Sequence, residues 1–297
     1  MDELQGTELG GYWIGHPIGR GGFGRVYQGY ALDNLNKPVA IKVLHPDFAQ
    51  DEALLRRFLR EIRLMESLNH PNIIPILGHG RTDKYLYFVM ALINGTTLEN
   101  LLERQSFTPR LAWRILRPLA EALNYGHSQG ILHRDVKPGN VFIERKSDGE
   151  HVYLGDFGLG KHPGVDDSLT GTGISIGTPE YMSPEAVQGT DIGPESDVYS
   201  LTVLAYELLL KALPIQKKAR HHTAIAQLHE APVTPSARRP DFPPALEEVL
   251  LKGLAKQKQD RYPTIQAFGN AFFAALKQLS AQEIEQDYAV DADPQAS

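Results

Sequence analysis

The stretch His133–Asn140, "HRDVKPGN", brings a carboxylate, an ammonium and an amide close together: Asp135, Lys137 and Asn140. That set suits transfer of a charged group onto a hydroxyl. The carboxylate can orient the hydroxyl and accept its proton. The ammonium can neutralise charge on a phosphoryl group in transfer. The amide oxygen can bind Mg²⁺, a hard cation that prefers oxygen ligands. Sixteen residues after Asn140, the "DFG" of residues 156–158 supplies Asp156, a second oxygen ligand for the same ion.

Two further signals precede these. Lys42 ends "VAIK", inside an apolar strand pattern, where an ammonium is costly to bury unless paired. Glu61, beside Ile62 on the next helix, is the acid placed to meet it. The pair would hold the ammonium against phosphate oxygens. The competing reading has Lys42 reaching out to solvent. Gly19, Gly21 and Gly24 form G-x-G-x-x-G in "GRGGFG". A dinucleotide fold needs a helix after such a run, but strand-like "RVYQGYAL" follows. The glycines are therefore expected to cap a β-hairpin and lay backbone N–H groups over phosphates. Alone they are equally a flexible turn.

The elements that must position these groups change character along the chain. "GYWIGHPIG", "RVYQGYAL", "KPVAIKVL", "NIIPILGHG" and "KYLYFVMAL" read as five strands. Between the third and fourth, Asp51–Leu68 has Leu55, Phe58, Ile62 and Met65 at helical spacing. After Leu92 helices dominate: Thr97–Gln105, Thr108–His127 with Pro118 inside it, Ser196–Lys211 with Ser196 as N-cap, Leu246–Ala255 and Thr264–Leu279. From Ala281 the chain turns acidic and poor in core formers, which predicts a frayed tail. The expectation is a small β-rich unit joined to a larger helical one, with a ligand cleft between them.

Bulk properties narrow the class. The chain has 297 residues, 42% hydrophobic and 22% charged, as ordinary globular proteins do. A net charge of −6 argues against nucleic-acid binding. With no cysteine there are no disulfides and no thiolate zinc sites, in keeping with a reducing compartment and a cytoplasmic location. The acidic, polar start does not read as a signal peptide. The longest apolar run, "LTVLAYELLL", is interrupted by Glu207 and too short to cross a bilayer.

Taken in order, Gly19/Gly21/Gly24, Lys42, Glu61, "HRDVKPGN" and "DFG" resemble a eukaryotic-type (Hanks-type) protein kinase. Lys137 and the "GTPEYMSPE" segment containing Thr178 resemble its serine/threonine branch, and "YGHSQGILHRDVKPGN" the bacterial receptor kinases. The resemblance implies an α+β bilobal protein-kinase fold. Residues 1–11 would be a tail, 12–91 a β-rich N-lobe with one regulatory helix, 92–279 a mainly helical C-lobe, and 280–297 an acidic tail. It implies transfer of the γ-phosphate of ATP to Ser/Thr hydroxyls of protein substrates, with Mg²⁺, or Mn²⁺ in its place. Asp135 would orient the acceptor and Lys137 contact the γ-phosphate. Asn140 and Asp156 would hold the metal. Lys42, steadied by Glu61, would hold the α/β-phosphates under the glycine run that follows Ile18. Adenine would sit against Val26 and Ala40 and bond the hinge backbone at Ala91 and Leu92, with Met90 guarding the back pocket. Thr178 would lie beside the catalytic loop, its hydroxyl reaching Asp135 and Lys137. Asp197 would brace that loop, and Arg261 would pair with Glu185. Thr170 and Thr172 match an autophosphorylation pair, whose phosphates could meet Arg134 and Lys161. A homodimer is compatible with the resemblance, but no residue argues for one.

Some positions depart from the family pattern. Ala91 stands where an acid is frequent, and Thr202 where glycine is usual. Residues 216–239 are hard to align, and the adjacent His221 and His222 within them do not share a helical face and read as a solvated polar turn rather than a metal site. Two other functions compete: a pseudokinase scaffold, which usually lacks one of Lys42, Asp135, Asn140 and Asp156, and a small-molecule phosphotransferase, which usually lacks "GTPEYMSPE".

Overall fold

A computed structural model of the chain describes residues 3–21, 24–45, 52–157 and 178–290. The described residues divide into two units, 3–94 and 95–290. The division falls after Asn94, three residues beyond the expected Ala91. Thr170, Thr172 and Lys161 lie outside the described residues.

The first unit is a six-stranded antiparallel sheet. Its strands are β1 (Glu8–Leu9), β2 (Tyr12–Gly21), β3 (Gly24–Ala31), β4 (Asn34–Leu44), β5 (Ile76–Arg81) and β6 (Leu86–Ala91), in the order β1-β2-β3-β4-β6-β5. Helix α1 (Glu52–Glu66) lies between β4 and β5 in sequence. In the centre of the sheet both faces are covered, so the last six residues of β4 are all buried. Alternation along the strands divides the side chains between the two faces. Ile14, Tyr27, Val39, Ile41, Val43, Tyr87 and Val89 form one buried cluster with Leu9, and Leu4 packs against it. The register sets Val26 opposite Lys42, Lys42 opposite Phe88, and Ala40 opposite Met90, which puts these five residues on the other face. Phe58 of α1 packs there, its ring 6.2 Å from that of Phe88. Leu55, Phe58, Ile62 and Met65 are all buried, as their spacing predicts.

The N-terminal residues differ from the expected tail. Leu9 is buried in the cluster, Gly6 N–H donates to Ile14 O, and β1 pairs with β2. An apolar sheet face left open to water would forgo the transfer free energy that Leu4 and Leu9 secure.

The second unit holds a three-stranded sheet of β7 (Thr96–Thr97), β8 (Val141–Lys146) and β9 (Gly149–Leu154). The rest is helical: α2 (Leu98–Arg104), α3 (Pro109–Ser128), α4 (Pro184–Gln188), α5 (Pro194–Leu210), α6 (Arg220–His229), α7 (Pro235–Arg238), α8 (Pro244–Gly253) and α9 (Ile265–Leu276). The starts are written locally. The hydroxyls of Thr97, Thr108, Ser183 and Thr264 each accept the backbone N–H three residues on, capping α2, α3, α4 and α9. Helix α5 is buried on nearly every side and packs against α3, α8 and α9. Among the described residues no helix is long and apolar enough to cross a membrane.

Three expectations are corrected here. Helix α5 starts at Pro194 with Gly193 as its cap, so Ser196 lies inside the first turn. Its hydroxyl is spent on Glu185 instead. His221 and His222 do not stand on a polar turn but on α6, which buries Thr223, Ala224, Ala226 and Gln227. The acidic C-terminal segment is docked as far as Val290 rather than frayed. Val290 N–H donates to Leu210 O, Arg239 Nη1 donates to Ala289 O, and Tyr288 is fully buried against Phe242.

Candidate active site

The residues singled out by their chemistry fall in both units. In the first, β2 and β3 are antiparallel and their register closes at Gly21 opposite Gly24, so the glycine run caps a hairpin. The third glycine has a steric reason to be there. A Cβ at Gly24 would lie 2.0 Å from Val43 O, inside the β4 backbone. A Cβ at Gly19 would meet only the Val26 side chain at 3.8 Å, an ordinary contact. Ile18, just before the run, is exposed.

Lys42 is buried on the sheet face that also carries Val26, Ala40 and Met90, with its ammonium 5.8 Å from the centre of the Phe88 ring. The snorkelling alternative is thereby removed. Glu61 is half-buried on α1. At the end of β6 the Ala91 N–H is already committed to Pro75 O. An adenine at this edge would be left with the Ala91 carbonyl and the backbone of Leu92.

In the second unit the 133–140 stretch is held by one carboxylate. Asp197, in the first turn of α5, is 1% exposed. It accepts the backbone N–H groups of His133 and Arg134, both at 2.8 Å, and a 2.7 Å bond from His127 Nε2. Burial alone would raise its pKa. The His127 hydrogen bond, the neighbouring histidines and the His133 N–H outweigh that, and the carboxyl stays below the usual range. These bonds support a backbone turn that would otherwise be unfavourable, with Arg134 at φ +67°.

His133 fastens the loop to the segment before Asp156. Its Nδ1 accepts from Asp135 N–H, so its Nε2–H donates to Gly155 O at 2.9 Å. Burial lowers the His133 pKa and keeps the ring neutral, as this tautomer requires. Gly155 N–H donates in turn to Asn140 O. Asp156 follows at φ +54°. Phe157 is clamped edge-on against the His133 ring at 4.8 Å, and a Cβ on Gly126 of α3 would overlap it at 2.4 Å.

Asp135 is at the centre of the group. Its Oδ2 lies 2.7 Å from Lys137 Nζ and accepts from Asn140 Nδ2 at 2.9 Å. Asn140 Nδ2 also donates to Asp135 O. Both Asn140 amide hydrogens are thus committed, leaving its Oδ1 as the acceptor for a cation. The short helical turn Pro138–Asn140 brings the amide back to the carboxylate. Sequence spacing therefore picked out a group that does converge.

Thr178 differs from expectation. Among the described residues no hydrogen bond joins its hydroxyl to Asp135 or Lys137. The segment it begins is anchored through backbone carbonyls. Gln227 Nε2 donates to Pro179 O and Glu180 O, and Ser200 Oγ donates to Tyr181 O. His127, Gly126, Ser200 and Gln227 were missed from sequence, since none stands in a spacing that signals chemistry.

A family model described as protein kinase domain matches residues 12–273, most of the chain. The chain belongs to the protein kinase family. The kinase domain is 35% identical over 280 residues to the serine/threonine-protein kinase Pkn1 of Myxococcus xanthus, covering 93% of this chain and 40% of that protein. It is 33% identical over 293 residues to the serine/threonine-protein kinase PknH of Mycobacterium tuberculosis, covering 98% and 45%. It therefore spans less than half the length of these relatives. Among solved structures it resembles the Mycobacterium tuberculosis PknI kinase domain, with TM-score 0.73 and 28% identity, covering 91% of this chain and 98% of that one. These likenesses place it with the bacterial Hanks-type serine/threonine kinases.

Proposed function

We propose that this chain transfers the γ-phosphate of ATP to serine and threonine hydroxyls of proteins. The observation that carries the reading is the convergence of Lys137 Nζ and Asn140 Nδ2 on one oxygen of Asp135. With Oδ2 so engaged, Oδ1 is left to accept a hydrogen bond from the acceptor hydroxyl and then its proton. The hydroxyl oxygen forms the new bond to the γ-phosphorus. The bond to the bridging oxygen breaks, and ADP leaves with that electron pair. Lys137 exchanges its contact with Asp135 for the transferring group and offsets its charge. Lys42, steadied by Glu61, fixes the α/β-phosphates, and Gly19, Gly21 and Gly24 give the backbone room above them. Adenine lies against Val26 and Ala40, bonded at the Ala91 carbonyl and at Leu92, with Met90 behind.

Asn140 Oδ1 and the Asp156 carboxylate are the oxygen pair that would hold Mg²⁺, or Mn²⁺. When bound, the ion neutralises the charge of the β- and γ-phosphates. Catalysis by such a site is positioning and charge neutralisation. Thr170 and Thr172 are the proposed autophosphorylation sites, with Arg134 as a partner for the added charge. Thr178 marks the acceptor-docking side.

The test is Asp135→Asn. The variant is expected to bind ATP as the wild type does while kcat falls by about 10²–10³. Wild-type turnover in this variant would remove Asp135 from the mechanism. Wild-type protein that binds ATP but labels neither itself nor a protein acceptor would favour a scaffold.

A further inference from the structure

Gln227 is fully enclosed on α6, yet every polar atom of its side chain is used. Nε2 donates to Glu180 O at 2.8 Å and to Pro179 O at 3.2 Å. Oε1 accepts from the Tyr199 hydroxyl of α5. The backbone carbonyl of Gln227 accepts from Lys256 Nζ at 2.9 Å. The amide orientation is fixed by these partners, since two carbonyls demand the nitrogen and a hydroxyl meets the oxygen. Burial pushes the Tyr199 hydroxyl far above its ordinary pKa, so it stays a donor at every ordinary pH.

The two carbonyls belong to the residues right after Thr178. Three successive carbonyls there, at Pro179, Glu180 and Tyr181, are taken by two side chains, Gln227 and Ser200. Ser200 sits on α5, the same helix whose Asp197 holds the catalytic loop. Gln227 sits on α6, whose outer face is open: His221, His222, Ile225 and His229 are exposed. One buried amide thus links an accessible helix to the backbone that follows Thr178.

We propose that Gln227 is a positioning residue for the protein acceptor: it fixes the 178–181 backbone on which the acceptor is laid, and couples that backbone to α6. This rests on the protein kinase reading above. Gln227 touches neither ATP nor the reacting atoms, so it acts only through this backbone. Replacing it with methionine keeps its bulk but leaves the Glu180 carbonyl without its donor and the Pro179 carbonyl with only the Met182 N–H. Glutamate would set a carboxylate against the same two carbonyls.

The experiment compares wild type, Gln227→Met and Tyr199→Phe, with bulk histone as acceptor. Tyr199→Phe removes only the hydroxyl that orients the amide, so it serves if Gln227→Met does not fold. Expected for Gln227→Met is a tenfold or greater rise in the KM for histone, with the Kd for ATP within twofold of wild type. Amide hydrogen exchange at Glu180 and Tyr181 should quicken, while that of α5 stays slow. Tyr199→Phe should shift the same quantities in the same direction by a smaller factor. A purely structural role would lower the active fraction and leave both constants unchanged, and that result overturns the proposal. Equal rises in the histone and ATP constants overturn it as well. If wild-type protein labels no histone and not itself, the kinase reading fails, and this proposal with it. If wild type is active and the variants keep its KM, only the Gln227 role is lost.

Discussion

Arg261 and Glu185 meet as a buried two-pronged ion pair, with Nη1–Oε1 at 2.7 Å and Nη2–Oε2 at 2.8 Å. The three remaining guanidinium hydrogens go to the carbonyls of Ala255, Glu195 and Lys256. All five donors of the fork are therefore used. Burial would raise the Glu185 pKa, but the hydrogen bonds from Arg261 and Ser196 outweigh this and hold it below the usual range. A lysine has no planar fork and cannot replace this set. Arg261→Lys is expected to cost on the order of 3 kcal/mol, because it leaves a buried carboxylate short of partners. Urea unfolding checks it, and a loss under about 1 kcal/mol would show the pair to be structurally idle.

Gly126 gives a steric prediction about the site. An alanine side chain would sit 2.4 Å from the Phe157 ring. Alanine is the better helix former by about 1 kcal/mol, but forced overpacking costs about 1–3 kcal/mol. The overlap should win. Since Phe157 follows Asp156, Gly126→Ala is expected to lower kcat at least tenfold while the fold survives. Unchanged kcat, with a raised melting temperature, would mean that the ring moves aside freely.

Glu207 should make stability depend on pH. Burial, with the charges of Glu99 and Glu180, raises its pKa to about 7 against an opposing hydrogen bond from Tyr181. A carboxyl raised on folding binds its proton more tightly in the folded state. Its contribution is full below the unfolded value of 4.5 and is lost as pH rises through about 7. Glu207→Gln keeps an acceptor for Tyr181 and has no proton to lose. It should be more stable than wild type at pH 8 by on the order of 2 kcal/mol, with the gap closing toward pH 5. Melting curves at both pH values decide; a gap that does not change with pH would contradict the assignment.

The C-terminal segment should behave as part of the domain. Tyr288 is fully buried, with Arg239 stacked 5.8 Å over its ring, but its hydroxyl has no partner among the described residues. Tyr288→Phe is therefore expected to be neutral or slightly stabilising, since it removes an unpaired buried polar atom. Tyr288→Ala should cost about 3–5 kcal/mol through the cavity it leaves. Equal effects of the two in thermal unfolding would refute this account of the segment.

Much of the site was legible in the chain because chemistry constrains residue type at short range. Asp135, Lys137 and Asn140 share one loop, and a five-residue separation fixes their reach. Helix α1 and the starts of α2, α3 and α9 near Thr97, Thr108 and Thr264 were legible for a similar reason, as helical periodicity is local, whereas the capping by these threonines was seen only in the structure. The Arg261–Glu185 pair and the Asp197 brace came from family resemblance, since no local rule joins residues 76 or 64 apart. What only the tertiary structure decided are contacts between faces of different elements. Gln227 on the Pro179 and Glu180 carbonyls, Gly126 under Phe157, and Leu9 and Tyr288 in their pockets are of this kind. Segments read as a tail or a polar turn proved ordered because a neighbouring surface offered apolar area and unpaired carbonyls. A linear pattern records a residue's own preference; which surface meets it is set when the elements pack.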